Sequence, residues 1–216
     1  MKSLHQIGLE CGTDKSFTHK YCDVYERYLA PWRDKEFTLL EIGVGAGGSL
    51  KMWHEFSPKA KIVGIDTNPD CAGYCQPPIE VFIGSQTDTQ FLTILLEIIG
   101  TPDVIIDDGS HYCPDTIATF KWLFPKIASG GLYIVEDCHC FYDSTYGLAP
   151  PYGQGMSEVY KFFSGLDVHV DVHGRGMCGD QDFAINHPSE IPPVPEYSKM
   201  LRAIHIHTSL RIFEKK

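Results

Sequence analysis

The sequence predicts an α/β fold, a mostly parallel sheet with helices on both faces, and three observations predict it. Short β-branched or apolar runs alternate with longer amphipathic stretches, the order that strand–helix–strand crossovers require. The first run ends in a glycine turn, EIGVGAGGSL, that leads directly into a helical stretch. The polar exceptions within the apolar runs fall at their C-terminal ends: Glu41, Asp66, Asp107, Asp108, Glu136 and Asp137. Ligands of open α/β sheets bind beyond that edge, so an edge lined with acid marks the expected site.

Taken in order, residues 1–36 form a helical lead-in carrying Phe17, Tyr21, Tyr25, Tyr28 and Trp32. The helical spacing of Tyr21, Tyr25 and Tyr28 favours core packing or a helix seam over a platform for stacking sugars. Within the lead-in, Thr13-Asp14-Lys15 is a candidate to close a cofactor pocket, which spacing alone does not establish. The runs at 37–45, 61–66, 80–84, 103–109 and 131–137 read as strands, and 49–56, 88–99 and 114–128 as helices. Pro58, Pro102, Pro125 and the pair Gly130-Gly131 fall where turns belong. TYGLAPPYGQG (145–155) reads as a loop near the site, and PSEIPPVP (188–195) as a proline-rich connector. The tail AIHIHTSLRIFEKK reads as a closing hairpin with Thr208-Ser209 at its tip, which brings the sheet to seven strands. His169 and His173, like His205 and His207, alternate as strand residues do and read as surface or packed positions. The whole forms one domain, 1–36 as the lead-in and 37–216 as the α/β unit.

Composition narrows the function classes. A formal net charge of −10 over 216 residues argues against nucleic acid, whose phosphates are bound through basic patches. No run approaches 18 consecutive apolar residues, so no membrane span is expected. The start, MKSLHQIGLECGTDKS, lacks the basic-then-apolar layout of a signal peptide, and the expectation is a soluble, cytoplasmic protein. Eight cysteines include no CxxC and read as reduced thiols; Cys138-His139-Cys140 keeps a lesser metal option open.

Gly43, Gly45 and Gly48 satisfy GxGxxG, which suits a dinucleotide, S-adenosylmethionine, or a tight turn with no ligand at all. Glu41, two residues earlier, suits the positively charged amino-acid end of S-adenosylmethionine and would repel a pyrophosphate. Asp66 closes the second strand, where a carboxylate takes both ribose hydroxyls, for NAD as readily as for the methyl donor. Ser85 and Gln86 follow the third strand, placed to touch an adenine edge. The balance tips to S-adenosylmethionine, with a nicotinamide enzyme as runner-up.

IDDGSH (106–111) sets two carboxylates side by side with an imidazole three residues on. Like charges crowd at a buried strand end only when a cation, a cofactor amine or solvent stands beside them. Carboxylates at adjacent strand ends make an all-oxygen site suited to Mg²⁺ or Mn²⁺ rather than zinc. Successive strand residues point opposite ways, so only one of Asp107 and Asp108 need face such an ion.

LLEIGVGAGGSLKMW, GID, Gln86, IDDGSH, GGLYIVED and LRIFEK, with the lead-in GTDKSFTHKYCDVYERYL, resemble the metal-dependent sugar O-methyltransferases of the macrocin and mycinamicin type and their rhamnosyl relatives. The resemblance covers nearly the whole chain and is weakest around 140–200. It implies a Rossmann-like class I S-adenosylmethionine-dependent methyltransferase fold, a divalent cation (Mg²⁺ or Mn²⁺) on Asp108, Glu136 and Asp137, and His111 as general base toward a sugar hydroxyl. Asp107 keeps a supporting or cofactor-side role. The implied acceptor is a rhamnose-like deoxysugar in a glycoside or glycan, and the lead-in helices are where the family often forms homo-oligomers. Alternatives are a catechol or other small-molecule acceptor, or a cofactor-binding domain of a larger glycan-processing protein. Blander readings stand beside these: His111 as a helix cap near 113–114, Glu136-Asp137 as a solvated strand exit, and His139 as a loop histidine.

Overall fold

The computed structural model describes residues 1–74, 76–143, 158–177 and 195–216; the expected site loop (145–155) and most of the expected connector (188–195) lie outside them. The lead-in holds three helices, α1 (Leu4–Cys11), α2 (Asp14–Phe17) and α3 (Cys22–Leu29). Ser3 starts α1 with a reciprocal cap, accepting from Gln6 N while Gln6 Oε1 accepts from Ser3 N, and Gly12, in the left-handed region at φ 69°, ends it.

The α/β part runs β1 (Thr38–Ile42), α4 (Gly48–Phe56), β2 (Lys61–Asp66), β3 (Ile79–Ile83), α5 (Thr89–Ile99), β4 (Val104–Asp107), α6 (Cys113–Leu123), β5 (Leu132–Val135), α7 (Glu158–Met177), a short helix Glu196–Lys199, β6 (Leu201–His207) and β7 (Leu210–Lys215). The order across the sheet is β3-β2-β1-β4-β5-β7-β6. Strands β1 to β5 pair in parallel, while β7 lies antiparallel to β5 and β6. The tail is thus a hairpin turning at Thr208-Ser209, and the sheet is mixed. Chain direction across the sheet reverses between β1 and β4, where such folds open a crevice for ligands.

Strand parity divides the interior into two cores. Leu39, Ile62, Ile106 and Ile134 pack against α1, α3 and α4, through Ile7, Tyr25 and Trp53. Leu40, Val63, Ile105 and Tyr133 pack on the other face against α5, α6 and α7, through Leu95, Phe120 and Phe163. The same parity sorts the acids. Glu41, Asp108 and Glu136 are in phase with the first face, and Asp107 is in phase with the second.

The structure corrects the strand expected around His169 and His173. The alternation VHVDVH lies within α7. Val159, Phe163, Leu166 and Val170, spaced four, three and four apart, form the apolar stripe on the second core, and that helical period overrides the local alternation. His205 and His207 do sit in β6, bonded to Glu214 (2.8 Å) and to the Tyr28 hydroxyl (3.0 Å).

Candidate active site

The glycine loop after β1 is shaped by a close approach. Gly43 has φ 92°, and a Cβ there would lie 2.0 Å from the carbonyl oxygen of Asp108, so a side chain at 43 would push the ends of β1 and β4 apart. Asp66 fastens the same loop from β2. Its Oδ2 accepts from Val44 N (2.9 Å) and Gly45 N (3.2 Å), and its Oδ1 from Asn68 N (2.8 Å). Burial alone would raise the pKa of this carboxyl; the three backbone N–H groups outweigh it and hold the group below the usual carboxylate range.

Two cavities meet at this loop. A larger one of about 490 Å³ lies between the lead-in and the strand ends, and Thr13, Lys15, Gly45, Asp108, His111 and Asp137 are among its walls. A smaller one of about 170 Å³ lies beyond β2 and β3 and includes Thr67, Ser85, Gln86 and Ser110. Gly43, Asp66 and Gly109 line both.

Several residues singled out from the sequence face inward instead. Gln86 is buried and its amide is fully engaged: Nε2 donates to Asp107 Oδ1 (3.2 Å) and Thr119 Oγ1 (3.0 Å), and Oε1 accepts from Ser110 N (2.9 Å). Asp107 points to the second core, where it also accepts from the Tyr133 hydroxyl (3.0 Å). Burial pushes its pKa up to about 7 against the pull of those hydrogen bonds. Glu41 is completely buried; its Oε2 accepts from Ser49 Oγ (2.8 Å) and its Oε1 has no hydrogen-bond partner.

The first-face acids surround one cation. The Lys15 ammonium, 1% exposed, lies 2.5 Å from Asp108 Oδ2, 2.7 Å from Glu136 Oε1 and 3.4 Å from Glu41 Oε1. Burial opposes its charge, but the three carboxylates hold its pKa well above the ordinary lysine value. Tyr25 adds a hydroxyl to Glu136 Oε1 at 2.5 Å. Lys15 is the residue that the sequence left undecided; GTDKS was visible as a motif, but nothing local tells that its lysine reaches a carboxylate 93 residues away.

Asp137 belongs with a different group. Strand parity would send it to the second face, but its backbone is left-handed (φ 52°) and turns it back, so that the Tyr21 hydroxyl donates to its Oδ1 at 2.6 Å. His111, also left-handed at φ 54°, places Nε2 3.7 Å from Asp108 Oδ1 and 3.7 Å from Asp137 Oδ2. Two strained non-glycine residues facing one point are a feature of working sites. His139 is exposed and bonds the Ser209 hydroxyl (2.7 Å), 4.0 Å from Asp137 Oδ1.

Among the described residues, two groups place ligand atoms close enough to share an ion: Asp108–His111–Asp137 and Glu41–Asp108–Glu136. Among the described residues the cysteines flanking His139 form no such group; Cys138 and Cys140 are buried and in the thiol form. Ligands about 2.1 Å from a small cation stand roughly 3–4 Å from each other, and the spacing at His111 fits that. Carboxylate oxygens with one imidazole are the donor set of a hard divalent ion. No described helix is long and apolar enough to cross a membrane.

No family model matches the chain. Among known proteins it is similar to a Streptomyces olivaceus 8-demethyl-8-alpha-L-rhamnosyl tetracenomycin-C 2'-O-methyltransferase, 37% identical over 63% of this chain and 38% of that one. It is also similar to a Streptomyces fradiae demethylmacrocin O-methyltransferase, 35% identical over 91% of this chain and 49% of that one. The chain therefore spans half or less of the length of these relatives. Among solved structures, MycE methyltransferase of the mycinamycin biosynthetic pathway, in complex with Mg, SAH and mycinamycin VI, superimposes with a TM-score of 0.83 at 27% identity, over 99% of this chain and 53% of that one. The chain is homologous to the sugar O-methyltransferases of the tetracenomycin, mycinamicin and macrocin type, and it has the Rossmann-like fold of class I methyltransferases.

Proposed function

We propose that the chain transfers a methyl group from S-adenosylmethionine to a hydroxyl of a rhamnose-like deoxysugar in a glycoside, with a divalent cation on Asp108, Glu136 and Asp137. The observation that carries this is the meeting of the Asp108 and Asp137 carboxylates with His111 Nε2, 3.7 Å from each, on the wall of the cavity that also holds the glycine loop. The methyl donor supplies an electrophilic carbon on a sulfonium, and the cation lowers the pKa of a coordinated hydroxyl.

The chain's own residues do the rest. The loop at Gly43–Gly45, fastened by Asp66, presents backbone to the donor, and the smaller cavity at Ser85 and Thr67 has the size and polarity for its base. Gln86, in the wall of that cavity, also fixes Ser110 and Asp107. Asp108, Glu136 and Asp137 hold the acceptor oxygen's side of the site, Glu136 keeping Oε1 on Lys15 and Tyr25. His111 takes the hydroxyl proton on Nε2 as the new carbon–oxygen bond forms and the carbon–sulfur bond breaks. MycE's description with Mg and SAH and relatives named for rhamnosyl and macrocin substrates support both the cofactors and a sugar acceptor. Assembly into homo-oligomers and membership of a longer protein are part of the same proposal.

Calorimetry on chelator-stripped protein tests it. S-adenosylmethionine should bind wild type and Asp108→Asn alike, whereas Mg²⁺ should bind wild type alone. Turnover should vanish in excess chelator and be found with rhamnosides. Methylation of catechols but of no glycoside would overturn the acceptor, and full activity in chelator would overturn the cation.

A further inference from the structure

Lys15 has no part in the proposed reaction, yet the acid cluster is arranged around it. Its three carboxylate neighbours come from three adjacent strands, Glu41 from the end of β1, Asp108 from just beyond β4 and Glu136 from just beyond β5. Those carboxylates are themselves one of the two groups spaced to share a single ion, and the ammonium is seated among them. Glu41 Oε1, buried and without a hydrogen-bond partner, faces the Lys15 ammonium at 3.4 Å.

The lead-in also divides the two aspartates. Asp108 gives Oδ2 to Lys15 and leaves Oδ1 toward His111. Asp137 gives Oδ1 to the Tyr21 hydroxyl and leaves Oδ2 toward His111. Each carboxylate thus has one oxygen anchored by the lead-in and one pointed at the common outer site.

We infer that Lys15 is a positioning residue acting as a built-in monovalent cation: it fills the inner half of the acid cluster and confines the exchangeable divalent ion to the outer half, among Asp108, Glu136 and Asp137 and beside the His111 base. This rests on the cation reading given above. Four carboxylates gather here, and a lysine with one divalent ion supplies three positive charges. Without the ammonium, the inner group becomes a second divalent site of all-oxygen donors, and a like charge that opposed the outer ion is gone.

The test uses Lys15→Met and the double variant Lys15→Met/Glu136→Gln, without methyl donor. Mg²⁺ and Mn²⁺ are titrated calorimetrically, and thermal unfolding is followed in chelator and in Mg²⁺. Wild type should bind one ion. Lys15→Met should bind a second, or bind the first on the order of tenfold more tightly, and its lowered midpoint should recover in Mg²⁺. The double variant should regain stability in chelator and lose the extra binding, because the buried carboxylate and its missing partner are neutralised together. If Lys15→Met folds only with Mg²⁺ present, that too supports the inference. Wild-type stoichiometry and affinity in Lys15→Met, with a deficit indifferent to Mg²⁺, would overturn the lysine's role and leave the cation reading standing. No ion binding to either protein would overturn both.

Discussion

Replacing Asp107 with asparagine should remove a pH-dependent burden from the fold. The carboxyl is 3% exposed, accepts from Tyr133 and Gln86, and is pushed by burial to a pKa of about 7 from an ordinary value of 3.8. The folded state therefore keeps a proton that the unfolded chain has lost. Because the folded-state pKa is raised, stability is greatest at low pH and falls as pH rises from about 4 to 7. A shift of this size, at about 1.4 kcal/mol per unit, costs wild type roughly 2–3 kcal/mol between pH 5 and pH 8, and the isosteric amide escapes that loss. Urea unfolding of both proteins in chelator at pH 5, 6, 7 and 8 measures the difference directly. The two should lie within about 1 kcal/mol of each other at pH 5, with Asp107→Asn gaining steadily on wild type up to pH 7 and then running parallel. A gap that is constant across the range would refute the assignment of Asp107 as a buried, late-ionising group.

Other outcomes follow from the same geometry. Gly43→Ala should lose about 2–5 kcal/mol in urea unfolding, because the new methyl meets the Asp108 carbonyl at 2.0 Å; Gly45→Ala, which meets nothing within 4 Å, should lose only about 1–2 kcal/mol for its left-handed backbone. Tyr21→Phe removes the hydroxyl from Asp137 and should weaken Mg²⁺ binding about 10–100-fold by calorimetry while the fold persists by circular dichroism; unchanged affinity would make the contact incidental. His111→Asn should lower turnover about 10²–10⁴-fold with Mg²⁺ affinity intact, and affinity falling in step would make the imidazole a ligand instead of a base.

The five parallel strands and their helices were legible because each crossover unit announces itself by period, and four of the five strands also by an acid terminus. The closing hairpin was legible from AIHIH and LRIFEK on either side of Thr208-Ser209. Around His169 the sequence misled, since a six-residue alternation looks like strand until the longer stripe of Val159, Phe163, Leu166 and Val170 is laid on a helix. At the site, parity of the strands was enough to separate Asp107 from Asp108, but not to place Asp137, whose left-handed backbone breaks parity. Lys15, Tyr21 and Tyr25 were the least readable. Helical spacing correctly put Tyr21 and Tyr25 in the core, yet their hydroxyls end on carboxylates more than a hundred residues away, a pairing no local pattern encodes.

The lead-in's grip on the strand ends bears on where this protein can be cut. A truncated chain opening at β1 would keep all seven strands and lose the cover of the sheet's first face, together with the ammonium and phenol that receive Glu41 and Glu136. Each large apolar side chain so laid bare costs about 1.5–3 kcal/mol, and a few of them use up what a domain has to spare. Swapping lead-ins between relatives is the safer exchange only if lysine and both tyrosines travel with them, since these side chains belong to the sheet's chemistry more than to the helices that carry them.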